Sequence, residues 1–563
     1  MPARIFRSVH PDAEYPAIDL VSDLLSNPDN IPGSNTAFID PETQQTHTQD
    51  AVRQRLRSLA HGLRNDLGVR EHDIVALFSP NTIDYAIICF AIIGCGAVVS
   101  PISAALTAEE LHDQLETSQA GFLIAHSLLM QTAREAARGT VVKTLLQADG
   151  HARVNGSETA ESMAKHCTPS DLLTIPASEA KTRPAFLCFS SGTTGKAKGA
   201  LLTHHNLTSN IAQMTTHVWT DVLPRQTQIA FLPFSHIYGI QNYLFMTLRR
   251  GTAVVVMRKF SLDAYLAHVQ QYRPVELELV PPVALLLAKN PKIPAFDLSS
   301  VRSVMSAAAP LSQELMLALE SRFETLYGKQ VRCWQAAGMT ECGPAVATLP
   351  FAARDTERRF TVGSILPSVQ MRVVDPETMQ DLGIEDSGWT LPGEIWIAGP
   401  NVFLGYLRNE EASRDAFHVD ESGTRWYRSG DIGIIDTHGY VVLQDRLKDV
   451  IKYKGYQVIP AELEAKLIEH PHVMDCAVVG KYIEEQATEV PVAFVVLSAE
   501  AQRAGAGTVV EEIHQWLKGR VAPYKRLRGG IRLVDVIPKS PSGKIIRRQL
   551  KDAVKGPAKL AKL

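Results

Sequence analysis

The sequence predicts an α/β protein: a large N-terminal domain of α/β subdomains that also carries a β-rich subdomain, then a small α+β C-terminal domain. Three observations support this. Short β-rich runs alternate with helix-length segments through the first half of the chain, the pattern of mostly parallel sheets with helices on their faces. Closely spaced strands with glycine turns follow. Beyond Arg446 the chain becomes lysine-rich and less apolar, in a compact pattern of strands and helices.

Taken in order, residues 74–78, 185–189 and 253–256 read as strands, and residues 52–67 and 262–272 as helices. The uncharged stretch 85–106 is long enough for a membrane span, but Gly94, Gly96 and Pro101 divide it. It predicts a buried helix, a turn and a strand at 97–99, and no transmembrane segment. Residues 147–178 are poorly patterned and surface-like. Strands at 394–398, 433–436 and 439–443 form the β-rich part, and 491–497, 509–520 and 531–536 complete the last domain. A boundary near 445–449 divides the chain into domains of 1–445 and 446–563.

A length of 563 residues excludes a single small binding module. The 57 basic and 60 acidic residues leave a formal charge of −3, too balanced for the positive field that sequence-independent nucleic-acid binding needs. No nucleic-acid partner is expected. Seven scattered cysteines without a C-x-x-C pair point to a reducing compartment and no structural zinc. The N-terminus lacks the apolar run of a secretory leader.

The sharpest chemical signal is FSSGTTGKAKG at 189–199, entered from an apolar strand and followed by Thr203, a helix N-cap residue. Gly192 and Gly195 let backbone amides converge on an anion. Ser190, Ser191, Thr193 and Thr194 add hydroxyl donors, and Lys196 or Lys198 adds charge, so the loop suits phosphates. It is not a Walker A loop, because only two residues separate Gly192 from Gly195 and Lys196 precedes alanine. The adjacent His204 and His205 cannot face one metal from consecutive helix positions and read as helix-start residues.

Five more motifs follow: FSHIYG at 234–239, QAAGMTE at 335–341, YRSGD at 427–431, DRLKDVIKYKG at 445–455 and PSGK at 541–544. With the loop, they resemble the motifs of the adenylate-forming superfamily of acyl-CoA synthetases, luciferases and peptide-synthetase adenylation domains. They stand in family order over almost the whole chain, and the resemblance is nearest to 4-coumarate-CoA-ligase-like enzymes.

The resemblance implies a role for each motif. Ser190 to Gly195, Lys198, Gln335, Ala336, Thr340, Asp431, Arg446 and Lys544 would bind ATP or AMP. Thr340 and Glu341 offer a hydroxyl and a carboxylate, which suit phosphate and Mg²⁺. Asp431 would accept from the ribose hydroxyls, although Gly-Asp alone is usually a turn. His236, Ile237, Tyr238, Met305, Ala308, Ala336, Ala337 and Pro344 would line the acyl pocket. Ala337 stands where the family usually has tyrosine. Lys448 would mark a hinge on which the small domain moves, and Lys454 with Gly455 would meet coenzyme A. Lys544 would bridge the acid carboxylate and the α-phosphate.

The expected activity is ATP- and Mg²⁺-dependent ligation of a carboxylic acid to coenzyme A through an acyl-adenylate. The acid would be aromatic, like 4-coumarate, or medium-chain. Two rivals share the scaffold: a luciferase-like adenylating oxidoreductase, marked by oxygen uptake, and a stand-alone adenylating enzyme that does not use coenzyme A. A non-catalytic nucleotide-binding protein would be expected to lose some of Lys198, Glu341, Asp431 and Lys544, and all four are present. The final Ala561, Lys562 and Leu563 resemble the Ser-Lys-Leu peroxisomal address, which implies recognition by the peroxisomal import receptor.

Overall fold

The computed structural model describes residues 4–15, 18–150, 159–190, 197–217, 226–349, 353–354, 356–454, 456–486, 488–504, 506–540 and 543–555. Its largest sheet has seven strands in the order Gly405–Tyr406, Lys198–Thr203, Pro184–Ser190, Val98–Ile102, Ile74–Phe78, Phe122–Ala125 and Thr144–Gln147. The strands from Pro184–Ser190 to Thr144–Gln147 run parallel. A parallel sheet must be covered on both faces, and the helices do this. In Gln49–Asn65, Val52, Leu56, Leu59 and Leu63 share one buried face, and Thr48 caps the first turn by accepting from the Ala51 amide. Helix Tyr85–Gly94 is buried on every side, which explains its lack of charge. Among the described residues no helix is long and apolar enough to cross a membrane.

Three details differ from the expected pattern. The strand after Gly96 runs through Pro101 to Ile102; Pro101 is its penultimate residue, where a missing N–H costs little pairing. The loop at 189–199 does not lead directly into a helix. Its end is the antiparallel strand Lys198–Thr203, and only then does helix His204–His217 begin, with the Thr203 hydroxyl accepting from the Asn206 amide at 3.1 Å. Within 147–178, residues 160–166 form a short helix, Ala160–His166, that buries Met163 and Ala164. Seven residues are too few to show a helical period in sequence.

A second sheet orders Glu276–Leu279, Ser303–Ser306, Arg332–Gly338, Ala345–Thr348 and Ser364–Ile365, with its first three strands parallel. A third joins Thr227–Ala230, Ala253–Val256, Thr36–Ile39 and Thr46–Thr48. The β-rich part is an antiparallel sheet built on Gln370–Val374, Gly393–Ala398, Arg425–Ile435 and Val441–Arg446.

The largest apolar cluster spans Phe6 to Val441, and a separate one spans Ile451 to Leu527. Around the second cluster, strands Val473–Ile483, Thr488–Leu497 and Ile531–Leu533 pack with helices Pro460–Ile468 and Ala506–Lys518, while Leu550 and Val554 of helix Arg547–Lys555 join a further cluster with Ala477, Val479, Val492 and Phe494. Arg547 ties helix Arg547–Lys555 to helix Pro460–Ile468 and to the sheet: it pairs with Glu464 and donates to the Val478 carbonyl at 2.9 Å. Both charged groups are largely buried, so Arg547→Ala would strand the Glu464 carboxylate. The expected result is a loss of about 3 kcal/mol in local stability. Hydrogen exchange should show weaker protection in 460–468, with unchanged protection in the strand Ile74–Phe78.

Candidate active site

A cavity of about 1160 Å³, with open solvent at its mouth included, lies between the second sheet, the segment 236–246 and the loop bearing Lys544. His236, Ile237, Tyr238, Met305, Ala308, Ala336, Ala337, Thr340, Pro344 and Lys544 all line it. These residues come from distant parts of the chain. Strand Arg332–Gly338 ends at the wall, and Gly338 must be small because a Cβ there would meet the Pro344 carbonyl oxygen at 2.6 Å. Gln335, from the same strand, is not among the lining residues. Its amide oxygen accepts from the Leu311 backbone N–H at 2.6 Å, and the residue is buried.

His236 caps the short helix Ile237–Gly239, with Nδ1 accepting from the Tyr238 amide at 3.2 Å. Nδ1 is therefore an acceptor, and Nε2 carries the proton of the neutral ring. Burial, reinforced by the positive charge of Lys544, pushes the imidazole pKa down to about 3. The ring stays neutral through the physiological range, so it can donate a hydrogen bond but is a poor base.

Asp431 and Arg446 sit opposite each other on adjacent strands, and their side chains pair at 2.6 Å. Burial raises the Asp431 pKa, and Arg446 and Lys544 oppose that rise. The Lys544 pKa is lowered by burial and by Arg446, while Asp431 and Glu341 work the other way. Lys544 thus belongs to a buried charge group with Arg446, Asp431 and Glu341. Its loop holds the cavity wall closely: Gly543 has a φ of +82°, and a Cβ there would lie 3.1 Å from Val280.

Glu341 is buried on the turn Thr340–Cys342, where the Tyr406 hydroxyl donates to Oε1 at 3.0 Å. Tyr406 also lies under the Lys198 ammonium, 5.2 Å from its ring centroid. Nothing local in the sequence marks Tyr406 for this role, because Glu341 and Lys198 lie 65 and more residues away. Lys448 is exposed, and partial desolvation of its ammonium by neighbouring groups lowers its pKa to about 8. Lys454 is exposed at the turn between Ile451–Tyr453 and Tyr456–Val458, away from the cavity lining, and its amide donates to Thr488 at 2.7 Å. Ser190 ends its strand, whereas Ser191, Gly192, Thr193, Thr194, Gly195, Gly455 and residues 561–563 lie outside the described residues.

Residues 27–407 match the family model described as AMP-binding enzyme, and residues 462–544 match its C-terminal domain. The chain belongs to the AMP-binding enzyme family. It is 35% identical over 561 residues to 4-coumarate-CoA ligase 1 of Petroselinum crispum, covering 97% of this chain and 96% of that protein. A probable 4-coumarate-CoA ligase 2 of Dictyostelium discoideum is 34% identical, covering 95% and 94%. Among solved structures, ATP-bound MatB of Rhodopseudomonas palustris superposes with a TM-score of 0.81 at 25% identity, covering 96% and 99%. A benzoate CoA ligase of Burkholderia xenovorans superposes with a TM-score of 0.79 at 25% identity, covering 95% and 99%. Within the family the chain belongs with the AMP-forming acyl-CoA ligases, which use ATP and coenzyme A.

The residues present also fit a hard divalent cation. Thr340 and Glu341 supply oxygen donors, and the hydrogen-bond partner of the buried Glu341 carboxylate is a neutral phenol. Among the described residues no cluster of three metal-ligating side chains forms an all-protein cage, and a magnesium site built largely on phosphate oxygens and water does not need one. Tyr406→Phe removes the hydroxyl that orients Glu341. Losing one hydrogen bond to a charged group should lower kcat/KM for ATP by about tenfold or more. The check is steady-state kinetics at saturating acid, with a thermal melt to show that the fold is retained.

Proposed function

We propose that the cavity binds a carboxylic acid and that the residues around Lys544 join it to AMP before transfer to coenzyme A. One observation carries this reading: Lys544, from the second matched domain, lines the same cavity as His236 and Thr340, with the Asp431 and Arg446 pair in its charge field. The Lys544 ammonium neutralises charge between the acid carboxylate and the α-phosphate as pyrophosphate leaves. His236 donates its Nε2 proton to the acyl-adenylate and takes no part in base catalysis. Asp431 keeps a carboxylate oxygen for the ribose hydroxyls while Arg446 occupies the other. Gln335, Ala336 and Thr340 flank the nucleotide with Lys198 and the loop from Ser190 to Gly195, Gln335 acting through the backbone because its side chain is engaged elsewhere.

Glu341, supported by Thr340, would hold Mg²⁺, which supplies charge neutralisation on the nucleotide phosphates. The small domain turns about Lys448 within 445–449 after adenylation, replacing Lys544 with Lys454 and Gly455, which receive coenzyme A. The names of the relatives favour an aromatic acid of the 4-coumarate kind over a medium-chain one. Ala337, in place of the usual tyrosine, leaves more room on that wall. The last three residues, Ala561, Lys562 and Leu563, address the chain to the peroxisome through its import receptor.

Each part has its own measurement. Lys544→Ala should slow adenylation, read as pyrophosphate exchange, by about 10²–10³-fold, yet still convert a premade acyl-adenylate to thioester. Equal losses in both assays would defeat the two-step reading. In Glu341→Gln the magnesium concentration for half-maximal adenylation should rise, because an amide lacks the carboxylate charge. Unchanged magnesium dependence removes Glu341 from the metal. A fusion with a fluorescent N-terminal tag should be peroxisomal and become diffuse when residues 561–563 are deleted; puncta that persist place the address elsewhere.

A further inference from the structure

The cavity is also polar in a way the adenylation chemistry does not use. Strand Glu276–Leu279 turns Glu276 and Glu278 to one face, as the two-residue period requires, and both line the cavity. Their situations differ. Glu276 is satisfied: it accepts from Ser303 at 2.5 Å, from Trp334 at 3.2 Å and from Arg354 at 3.1 Å. Glu278 is 5% exposed and has no ion pair among the described residues; the Gln228 amide donates to its Oε1 at 2.6 Å.

Two other side chains that line the cavity are short of partners. Gln241 is 1% exposed and lines the cavity, and neither its amide nitrogen nor its amide oxygen has a hydrogen-bond partner among the described residues. The Gln228 amide oxygen is buried in the same condition. Gln241 projects from Ile240–Phe245, a turn of π-helix, a local widening found often at functional sites. Buried polar groups are nearly always paired, so several orphans around one cavity call for a ligand that completes them.

The charge environment indicates what kind of ligand. Burial and the neighbouring Glu276 charge push the Glu278 carboxyl up to about 8, which leaves it protonated at neutral pH. Lys544 bears on His236 and Asp431, whereas the charge acting on Glu278 is that of Glu276. The lining therefore offers, outside the charge group around Lys544, a neutral set with donors and acceptors: one carboxyl and two carboxamides. A hydrocarbon tail would leave the Gln241 amide and the Gln228 oxygen unpaired.

We propose that Glu278, Gln228 and Gln241 form a recognition site for the far end of the acid, selecting a tail that ends in a neutral group able both to donate and to accept, a hydroxyl or a primary carboxamide. This rests on the reading of the cavity as the acyl site. Replacing Glu278 with leucine removes a buried carboxyl but strands the Gln228 amide that donates to it, so a thermal melt accompanies that variant, and Glu278→Gln, which keeps an acceptor for Gln228, tests the site with the fold spared.

The experiment compares acids of one skeleton that end in hydroxyl, carboxamide, methoxy or methyl, scored by kcat/KM in pyrophosphate exchange. The native protein should prefer hydroxyl or carboxamide over methyl by about 10- to 100-fold, because the methyl tail leaves buried partners unsatisfied. Methoxy, which only accepts, should fall between. Glu278→Leu should reverse the order in favour of methyl. Glu278→Gln, which keeps a donor and an acceptor, should retain most of the native preference, and Gln241→Leu should weaken it. A uniform loss on every acid in Glu278→Leu, or a ranking blind to the tail in the native protein, overturns the recognition site.

A wall variant separates this from failure of the underlying reading. Ala336→Leu narrows the cavity and should raise KM for every acid whatever its tail. If Ala336→Leu leaves the KM of all acids unchanged, the cavity is not the acyl site and both readings fall. If it raises KM while the tail ranking ignores Glu278, only the recognition site falls.

Discussion

The ion pair between Asp431 and Arg446 is the constraint around which the site is arranged. It joins adjacent strands at the point where the chain leaves the β-rich sheet for the small domain, and its 2.6 Å contact sets two opposite charges beside Lys544. Without Arg446, a buried Asp431 would lose the cation that most opposes its protonation; without Asp431, Arg446 and Lys544 would face each other as like charges. The same junction is bound to the far end of the chain. Asp449 pairs with Lys551 at 3.0 Å, and Asp445 accepts from the Ala461 amide at 3.0 Å while Arg547 moderates the burial that raises its pKa to about 6. Charge at the strand ends therefore couples the small domain to the cavity.

That arrangement fits chemistry that needs positioned charge more than a protein nucleophile. The histidine beside the cavity is held neutral by burial and by a cation, and its acceptor nitrogen is already engaged by the backbone. The carboxylate on the adjoining turn is steadied by a tyrosine hydroxyl. Each group is held ready for a ligand by a second residue, so little reorganisation is required when charge develops.

The wall built on the strand Glu276–Leu279 follows another logic. An apolar residue at position 278 would pack against the tyrosines nearby without leaving a carboxyl to desolvate. Keeping a carboxyl there, beside carboxamides that lack partners, costs folding free energy unless a ligand recovers it. One cavity thus joins a charged region suited to phosphate and carboxylate with a neutral polar region suited to the tail of the acid.

Much was legible in the sequence because it was local. The α/β class followed from the alternation of runs such as 74–78 and 262–272, which are the observed strand Ile74–Phe78 and helix Leu262–Tyr272. The cavity residues His236, Thr340 and Lys544 could be named because each sits in a contiguous motif. Tyr406, Gln228, Gln241 and Glu278 could not. None stands in a local pattern, and a glutamate in an alternating strand reads as solvent-facing until a second sheet is placed over it. Only the tertiary structure decided that Gln335 is engaged with the Leu311 amide, that Lys544 and not Lys454 lines the cavity, and that Glu278 is buried. Backbone propensity acts over a few residues, whereas burial and charge pairing depend on segments brought together from across the chain.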